Sequence, residues 1–290
     1  MKFSLILCTI NRVKEVQELL LSLSTQTYKN FEVIIVDQNK DKRLINILDK
    51  FKDLDIKHIT SDIGLSKARN IGLKHANGDV VAFPDDDCTY PSQLLENIHT
   101  FFSHTAYDIL LGKTIDKVTG KIVAGKPYFK QTKLNCFNFL GSSTTLFISL
   151  KNISLDRVLF DEDFGLGAKY NSGEEEDLVF RLLHQKYKGF YDPYINFVYH
   201  PPSDLNYQDF KRAEYRSLGL GAFVIKHVFT LCGFTYFLKY TLFQPLVKIT
   251  KSCIHRDKIV CIFHYYRLIG IGKGIFFYIN AKIQNIWSKS

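Results

Sequence analysis

Short, almost unbroken apolar runs alternate along the first hundred residues with segments whose apolar positions recur three and four apart. The runs "KFSLILCTI" and "FEVIIVD" are too short for helices and too apolar for surface loops, which marks them as buried strands, with "DIKHIT" a shorter strand and "DVVAF" the next one. Between them, Val16, Leu19, Leu20 and Leu23 share one face of a predicted helix, and Leu44, Ile47, Leu48 and Phe51 share another. A third helix is expected in "LSKARNIGLKHA". A fourth, with Leu94, Ile98, Phe101 and Phe102 inward, follows Pro91, whose fixed φ suits a first turn.

Strands that alternate with helices predict an α/β fold: a mostly parallel sheet flanked on both faces by right-handed crossovers. Ligands of such sheets bind beyond the carboxyl ends of the strands. Thr9, Asn11 and Arg12, Asp37, and the triplet Asp85-Asp86-Asp87 all stand at those ends. Further along, "DILLGKTI" and "GSSTTLFISLK" are expected as strands. The Gly-rich stretch before "GEEEDLVFRLLHQKY" leads into a helix with Leu178, Leu182 and Leu183 inward. The double proline after His200 closes the body, with a domain boundary expected near residue 205: residues 1–205 form one domain and 206–290 a helical region.

Charge separates these two parts. The 290 residues carry a net +9, with 46% hydrophobic and 23% charged residues, as in an ordinary globular chain. From Tyr207 onwards 13 Lys and Arg face 3 Asp and Glu, whereas the first 206 residues hold 25 and 26. A near-neutral body with a basic, aromatic-rich end points to an anionic surface. No helix-turn-helix, zinc-finger or RNA-binding signature is present, so nucleic acid is not the expected partner. Lys and Arg interleaved with apolar stretches suit an anionic membrane surface better. The stretches Val228–Thr250 and Ile259–Asn280 are each broken by two basic residues, so they are expected to lie in the interface rather than span it.

Six cysteines show no CxxC pair or metal-ligand spacing, and the apolar stretch after Lys2 is too short for a signal peptide. A reducing, cytoplasmic setting is expected.

Three adjacent carboxylates at a strand end repel one another unless a cation neutralises them. A divalent ion bridging to a diphosphate would do so. The second acidic cluster, Glu174-Glu175-Glu176-Asp177, supplies crowded carboxylates of the kind a general base needs. Asp177 and Arg181 are i,i+4 neighbours on the predicted helix.

Four fragments in order carry a specific resemblance: "CTINR", "STQTYKNFEVIIVD", "GLSKARNIGLKHANGDVVAFPDDD" and "FDEDFGLGAKYNSGEEEDLVFRL". Over roughly residues 3 to 200 the chain resembles the family 2 inverting glycosyltransferases. That resemblance implies a GT-A fold, a nucleotide-diphosphate sugar donor (UDP-linked in the usual case) and a divalent metal, Mg²⁺ or Mn²⁺. By position, Thr9, Asn11 and Arg12 match the nucleotide-cradling loop, and Asp37 the nucleoside contact, with Gln38 where a second Asp is usual. Arg69 and Asn70 match the diphosphate segment. Asp85, Asp86 and Asp87 form the DxD pattern, with Asp87 and Asp85 as metal contacts and Asp85 and Asp86 as contacts to the donor nucleotide. Glu175 matches the base, usually Asp, with Glu174 and Asp177 as alternatives. His200 falls where some members place a histidine near the metal, and Gly141-Ser142-Ser143 are expected at the acceptor pocket. The implied reaction is sugar transfer, with inversion, to a saccharide or polyprenyl-diphosphate-saccharide acceptor at the inner face of a bacterial membrane, in surface polysaccharide synthesis. A nucleotidyltransferase-like enzyme on a related sheet, and a non-catalytic saccharide- or lipid-binding protein, are the alternative readings.

Overall fold

A computed structural model describes residues 1–124, 130–139, 142–201 and 209–287. The chain divides into two compact units: Met1–Phe160 with Leu178–Ser203, and Asp161–Asp177 with Asp204–Ser290. The boundary expected near residue 205 lies outside the described residues.

The first unit opens with β1 (Phe3–Thr9), α1 (Lys14–Ser24), β2 (Phe31–Asp37), α2 (Ile45–Leu48), β3 (Ile56–Thr60), α3 (Leu65–Leu73), β4 (Val80–Ala82) and α4 (Leu94–His104). It continues through β5 (Ile109–Leu111), β6 (Lys113–Ile115), β7 (Ile122–Ala124), β8 (Thr132–Leu134), β9 (Phe147–Ser149) and α5 (Leu155–Val158). Helix α6 (Glu174–His184) has its first turn in the second unit, and β10 (Gly189–Tyr191) and β11 (Phe197–Tyr199) complete the first. Eight described strands form one sheet in the order β3-β2-β1-β4-β9-β5-β10-β8, and β11-β6-β7 form a smaller one. The pairs β1–β2, β1–β4, β2–β3 and β5–β10 are parallel; β9 runs antiparallel to both its neighbours. This is the mostly parallel, helix-flanked sheet that the alternating pattern predicts.

Every residue of β1 and β2 is buried, because helices cover both faces. Phe3, Leu5 and Leu7 share a core with Val16, Leu19, Leu20 and Leu23 of α1 and with Leu94 and Ile98 of α4. Full burial of each such side chain is worth roughly 1.5–3 kcal/mol. That outweighs the missing side-chain N-cap of α1, a feature worth about 1 kcal/mol. On the opposite face α3 lies against β1 and β2, and a Cβ at Gly72 would overlap Ile6. Glycine there sets how closely α3, and the Arg69 it carries, approaches the sheet.

Two segments depart from expectation. "DILLGKTI" splits at Gly112 into β5 and β6, which join different sheets; a side chain at Gly112 would collide with the Asn196 backbone. "GSSTTLFISLK" begins as a 3₁₀ turn, Ser143–Thr145, before β9.

The second unit holds α7 (Phe210–Lys226), α8 (Leu231–Leu238), a π-helical turn at Lys239–Phe243, α9 (Gln244–Ile254) and α10 (Lys258–Trp287). Helices α7 and α10 meet at backbone distance: a Cβ at Gly221, Gly270 or Gly274 would strike the carbonyl of Ile271, Glu214 or Leu218 respectively. Lys273 Nζ on α10 reaches Glu214 Oε1 on α7 at 2.5 Å. The loop 161–173 is seated on α7 by Ser172 Oγ donating to Arg216 O (2.7 Å) and by Lys226 against Asp161 (2.7 Å). Residues Lys258–Gln284 are long and apolar enough to cross a membrane by length and composition.

Candidate active site

The carboxyl end of β4 is where the sheet prepares a site. Pairing of β1 with β4 is prolonged by a parallel bridge between Cys8 and Asp85, which sets Asp85–Asp87 beside Thr9 and Arg12. An antiparallel bridge between Thr89 and Tyr199 (N···O 2.9 and 3.0 Å) carries the end of β11 back across the triplet. His200, the next residue, is thereby delivered to Asp87.

Asp86 is the most enclosed of the three. Its Oδ2 accepts from Thr9 Oγ1 at 2.7 Å and its Oδ1 from Arg12 Nη1 at 2.8 Å. Burial nonetheless wins over these two partners and raises its pKa. Asp87 is driven the other way. Burial would raise it, but the His200 hydrogen bond and charge, together with ion pairing to Arg12, hold it down at about 2. His200 Nε2 lies 3.1 Å from Asp87 Oδ1, and its Nδ1 donates to Pro201 O at 2.6 Å. Both ring nitrogens face acceptors, so the imidazolium is favoured and the His200 pKa is raised, chiefly by Asp87.

Asp85 is one-third exposed and meets Arg69 Nη2 at 3.3 Å. Arg69 itself is 2% exposed, an unusual position for a cation. Its guanidinium lies against the edge-to-face pair Phe83 and Phe160, 5.8 and 5.2 Å from their centroids, and donates to Ser143 Oγ at 2.9 Å. Flat aromatic faces and a hydroxyl replace the water it has lost.

One donor atom each from Asp85, Asp87 and His200 lies within 4.8 Å of the others, a spacing one divalent cation can bridge. Two carboxylates with one imidazole suit Mn²⁺, since oxygen ligands serve Mg²⁺ and Mn²⁺ alike whereas imidazole favours the transition metal.

Other residues singled out by sequence are placed as follows. Asp37, 1% exposed at the end of β2, accepts from Asn39 N (2.9 Å) and Nδ2 (2.7 Å), with His58 Nε2 at 3.1 Å. Asn11 has φ 60, a left-handed conformation that Asn tolerates; its N–H donates to Asn39 Oδ1 at 2.8 Å, and Arg43 donates to its Oδ1. Asn70 grips the Phe160 backbone at both ends of its amide, Nδ2 to O at 2.9 Å and N to Oδ1 at 2.8 Å. It fixes the aromatic lid of Arg69. Gln38 Oε1 accepts from Gly64 N (2.8 Å) at the start of α3, a structural use for the departure at this position. Ser143 serves Arg69, while Gly141 lies outside the described residues.

In the second unit Glu174 is 7% exposed and Glu175 partly exposed at the first turn of α6. Asp177 is fully buried, and its Oδ1 receives Lys226 Nζ at 2.7 Å and His227 Nε2 at 2.8 Å. Arg181 donates to the carbonyls of Leu159 and Arg157 (2.6 and 3.4 Å). Sequence reasoning missed Asn39, His58 and His227, and the pairing of Lys226 with Asp161 and Asp177. Each is a polar residue with no motif of its own, brought to its partner by folding.

Comparison with known proteins identifies the fold and the family. TarS from Staphylococcus aureus, a poly(ribitol-phosphate) β-N-acetylglucosaminyltransferase, is 31% identical over 182 residues, covering 61% of this chain and 31% of that protein. A glucosyl-dolichyl phosphate glucuronosyltransferase from Haloferax volcanii is 31% identical over 134 residues, covering 44% of this chain and 42% of its own. The chain therefore spans less than half the length of these curated relatives. The crystal structure of TarS 1–349 superposes with a TM-score of 0.59 at 19% identity, covering 98% of this chain and 92% of that one. A mannosyltransferase from Pyrobaculum calidifontis, solved with GDP-Man and Mn²⁺, gives 0.60 at 14% identity, covering 100% and 88%. These structures establish the GT-A fold. The glycosyl transferase family 2 model matches residues 4–155, more than half of the chain and the carboxyl ends of β1, β2 and β4 but not β11, and the protein belongs to that family.

Proposed function

We propose that the protein is a metal-dependent, inverting glycosyltransferase. It moves a sugar from a UDP-linked donor to a hydroxyl of a saccharide or polyprenyl-diphosphate-linked saccharide, in bacterial surface polysaccharide synthesis. The observation that carries this reading is the convergence of Asp85, Asp87 and His200 beside Arg69 and Arg12 at the carboxyl edge of the sheet. A metal held there would supply positive charge against the departing diphosphate. Asp85 and Asp87 would hold that ion, and His200 would complete the set and favour Mn²⁺ over Mg²⁺. Arg69, held against Phe83 and Phe160, backs Asp85 at 3.3 Å and would offset the carboxylate charge beneath the diphosphate. Thr9 and Arg12 keep Asp86 in place, while Asp37 with Asn39 forms the nucleoside end.

Glu175 is our choice of base. It takes the acceptor proton as the hydroxyl attacks the face of the anomeric carbon opposite the diphosphate. Asp177 is unsuited, because it is wholly buried and already bound by Lys226 and His227. Its role is to anchor the turn that presents Glu174 and Glu175. Residues 1–205 then form the transferase domain, and 206–290 a helical region at the inner face of the cell membrane, where a lipid-linked acceptor would be elongated. TarS has been solved with UDP-GlcNAc, and the Haloferax relative is named for a lipid-phosphate sugar; both favour this choice of donor and acceptor class.

The test is a mass-spectrometric screen of sugar-nucleotide consumption with Mn²⁺ and lipid-linked saccharide acceptors, beginning with UDP-GlcNAc. Metal-dependent transfer with inverted anomeric configuration supports the reading. Retained configuration, or transfer unaffected by metal removal, overturns it.

A further inference from the structure

Helix α10 presents an apolar stripe that its own unit leaves uncovered. Ile262, Tyr265, Phe276, Ile279, Ile283 and Trp287 are between 41 and 76% exposed. Their spacing, with Ile269 and Gly272 filling the gap, is three or four residues throughout, so they lie along one side of the helix. At 1.5 Å per residue the stripe runs about 38 Å. The opposite side packs on α7, where Gly270 and Gly274 bring the two backbones together.

Charge decides what can cover such a stripe. From Tyr215 to the end of the chain there are 11 Lys and Arg against one acidic residue, Asp257. Lys248, Lys251, Lys258 and Lys282 are exposed. A second copy would bring an equally cationic surface against this one and be repelled. An anionic bilayer attracts it, since each Lys or Arg near the headgroups adds favourable charge while the apolar side chains enter the acyl boundary. The residue types fit that depth: Tyr265 and Trp287 have apolar bodies with polar tips. Lys282 Nζ lies over the Tyr278 ring, 5.4 Å from its centroid, a cation beside an amphipathic ring. Insertion across the bilayer is opposed by the partner helix. Moving α10 into hydrocarbon would drag in Lys211, Arg212, Glu214 and Arg216 of α7, including the Lys273–Glu214 pair.

We propose that the Ile262–Trp287 edge of α10 lies flat in the headgroup–acyl boundary of an anionic membrane and docks the enzyme there. Docking rests on the membrane-side reading above only for the address of the reaction. It is measured without donor, metal or acceptor, so its failure and the failure of glycosyl transfer are separable.

Trp287 is the only tryptophan in the chain and ends the stripe, 76% exposed, so its emission reports directly on insertion. The full-length protein is titrated with vesicles of phosphatidylglycerol and phosphatidylcholine, and with phosphatidylcholine alone. The expected result is a blue shift with the anionic vesicles only, quenching by lipids brominated near the headgroup, and release in high salt. Phe276→Asp with Ile283→Asp should lower partitioning at least about tenfold, and Lys248→Ser with Lys251→Ser should lower it while moving the salt midpoint down. Circular dichroism and light scattering confirm that the variants remain folded and of unchanged mass. No shift with anionic vesicles, or binding that ignores both variants, overturns the proposal. So does binding that survives high salt with quenching only by deeply brominated lipids, the signature of a span. A wild-type dimer dissociated by Phe276→Asp would assign the stripe to a second copy instead.

Discussion

His200 Nε2 lies 3.1 Å from Asp87 Oδ1 while its Nδ1 is committed to the Pro201 carbonyl. The imidazole can therefore become a metal ligand only by giving up the proton it shares with Asp87. The His200 pKa is raised by that contact, so metal affinity should fall as pH drops through this raised value. Each ion bound near or below it should release a proton. Calorimetric titration of Mn²⁺ in buffers of different ionisation enthalpy measures the release; a buffer-independent enthalpy near neutral pH would contradict it.

The same pair has the opposite effect on the metal-free fold. A His whose folded pKa is raised adds stability that is fully present below its ordinary value of 6.5 and lost as pH rises through the raised one. Asp87, held at about 2, adds stability present above its ordinary 3.8 and lost as pH falls toward 2. Metal-free protein should thus gain from the pair across weakly acidic pH and lose that gain on the alkaline side. Thermal melts of wild type and His200→Ala should converge as pH rises through the raised His200 value. A constant difference there would sink the assignment.

With three mixed ligands the site should discriminate between ions. Mn²⁺ should support UDP binding better than Mg²⁺, and His200→Asp, which supplies a third oxygen, should narrow the gap. Half-saturating metal concentrations in a thermal-shift titration provide the measurement.

Glu175→Gln should keep donor affinity within a few-fold and cut turnover by about 10³ or more, as expected when a group acts only in the transition state. Asp177→Asn should behave differently. It breaks a buried ion pair with Lys226, a loss that typically costs 3–5 kcal/mol. Roughly 3 kcal/mol is expected, because Lys226 keeps Asp161 at 2.7 Å. Denaturant unfolding and steady-state kinetics on both variants separate the two roles.

Arg69→Lys should not be tolerated as a conservative change. An ammonium cannot lie flat against the Phe83–Phe160 pair while reaching both Ser143 and Asp85. Metal-dependent UDP affinity should fall at least about tenfold, read by calorimetry.

Where chemistry followed local pattern, the sequence was legible. The four apolar runs became β1 to β4, Asp37 and Asp85–Asp87 fell at their carboxyl ends, and Leu178, Leu182 and Leu183 turned inward on α6. Long-range pairing hid the rest. The split of 109–115 depends on Asn196 packing over Gly112. The approach of His200 to Asp87 depends on the Thr89–Tyr199 bridge. The engagement of Asp177 by Lys226 and His227 depends on α7, a helix that charge counting alone presents as part of a solvated basic tail. Polar partners have no periodicity, so nothing in the chain announces them before it folds.

The central claim is that Asp87 and its neighbours hold UDP through a divalent ion. Calorimetric titration of UDP into wild type and Asp87→Ala, each with Mn²⁺ and with chelator, addresses it most directly. Saturable binding by wild type with Mn²⁺, absent with chelator and absent in folded Asp87→Ala, is the expected result. Equal UDP affinity in all four titrations would contradict it.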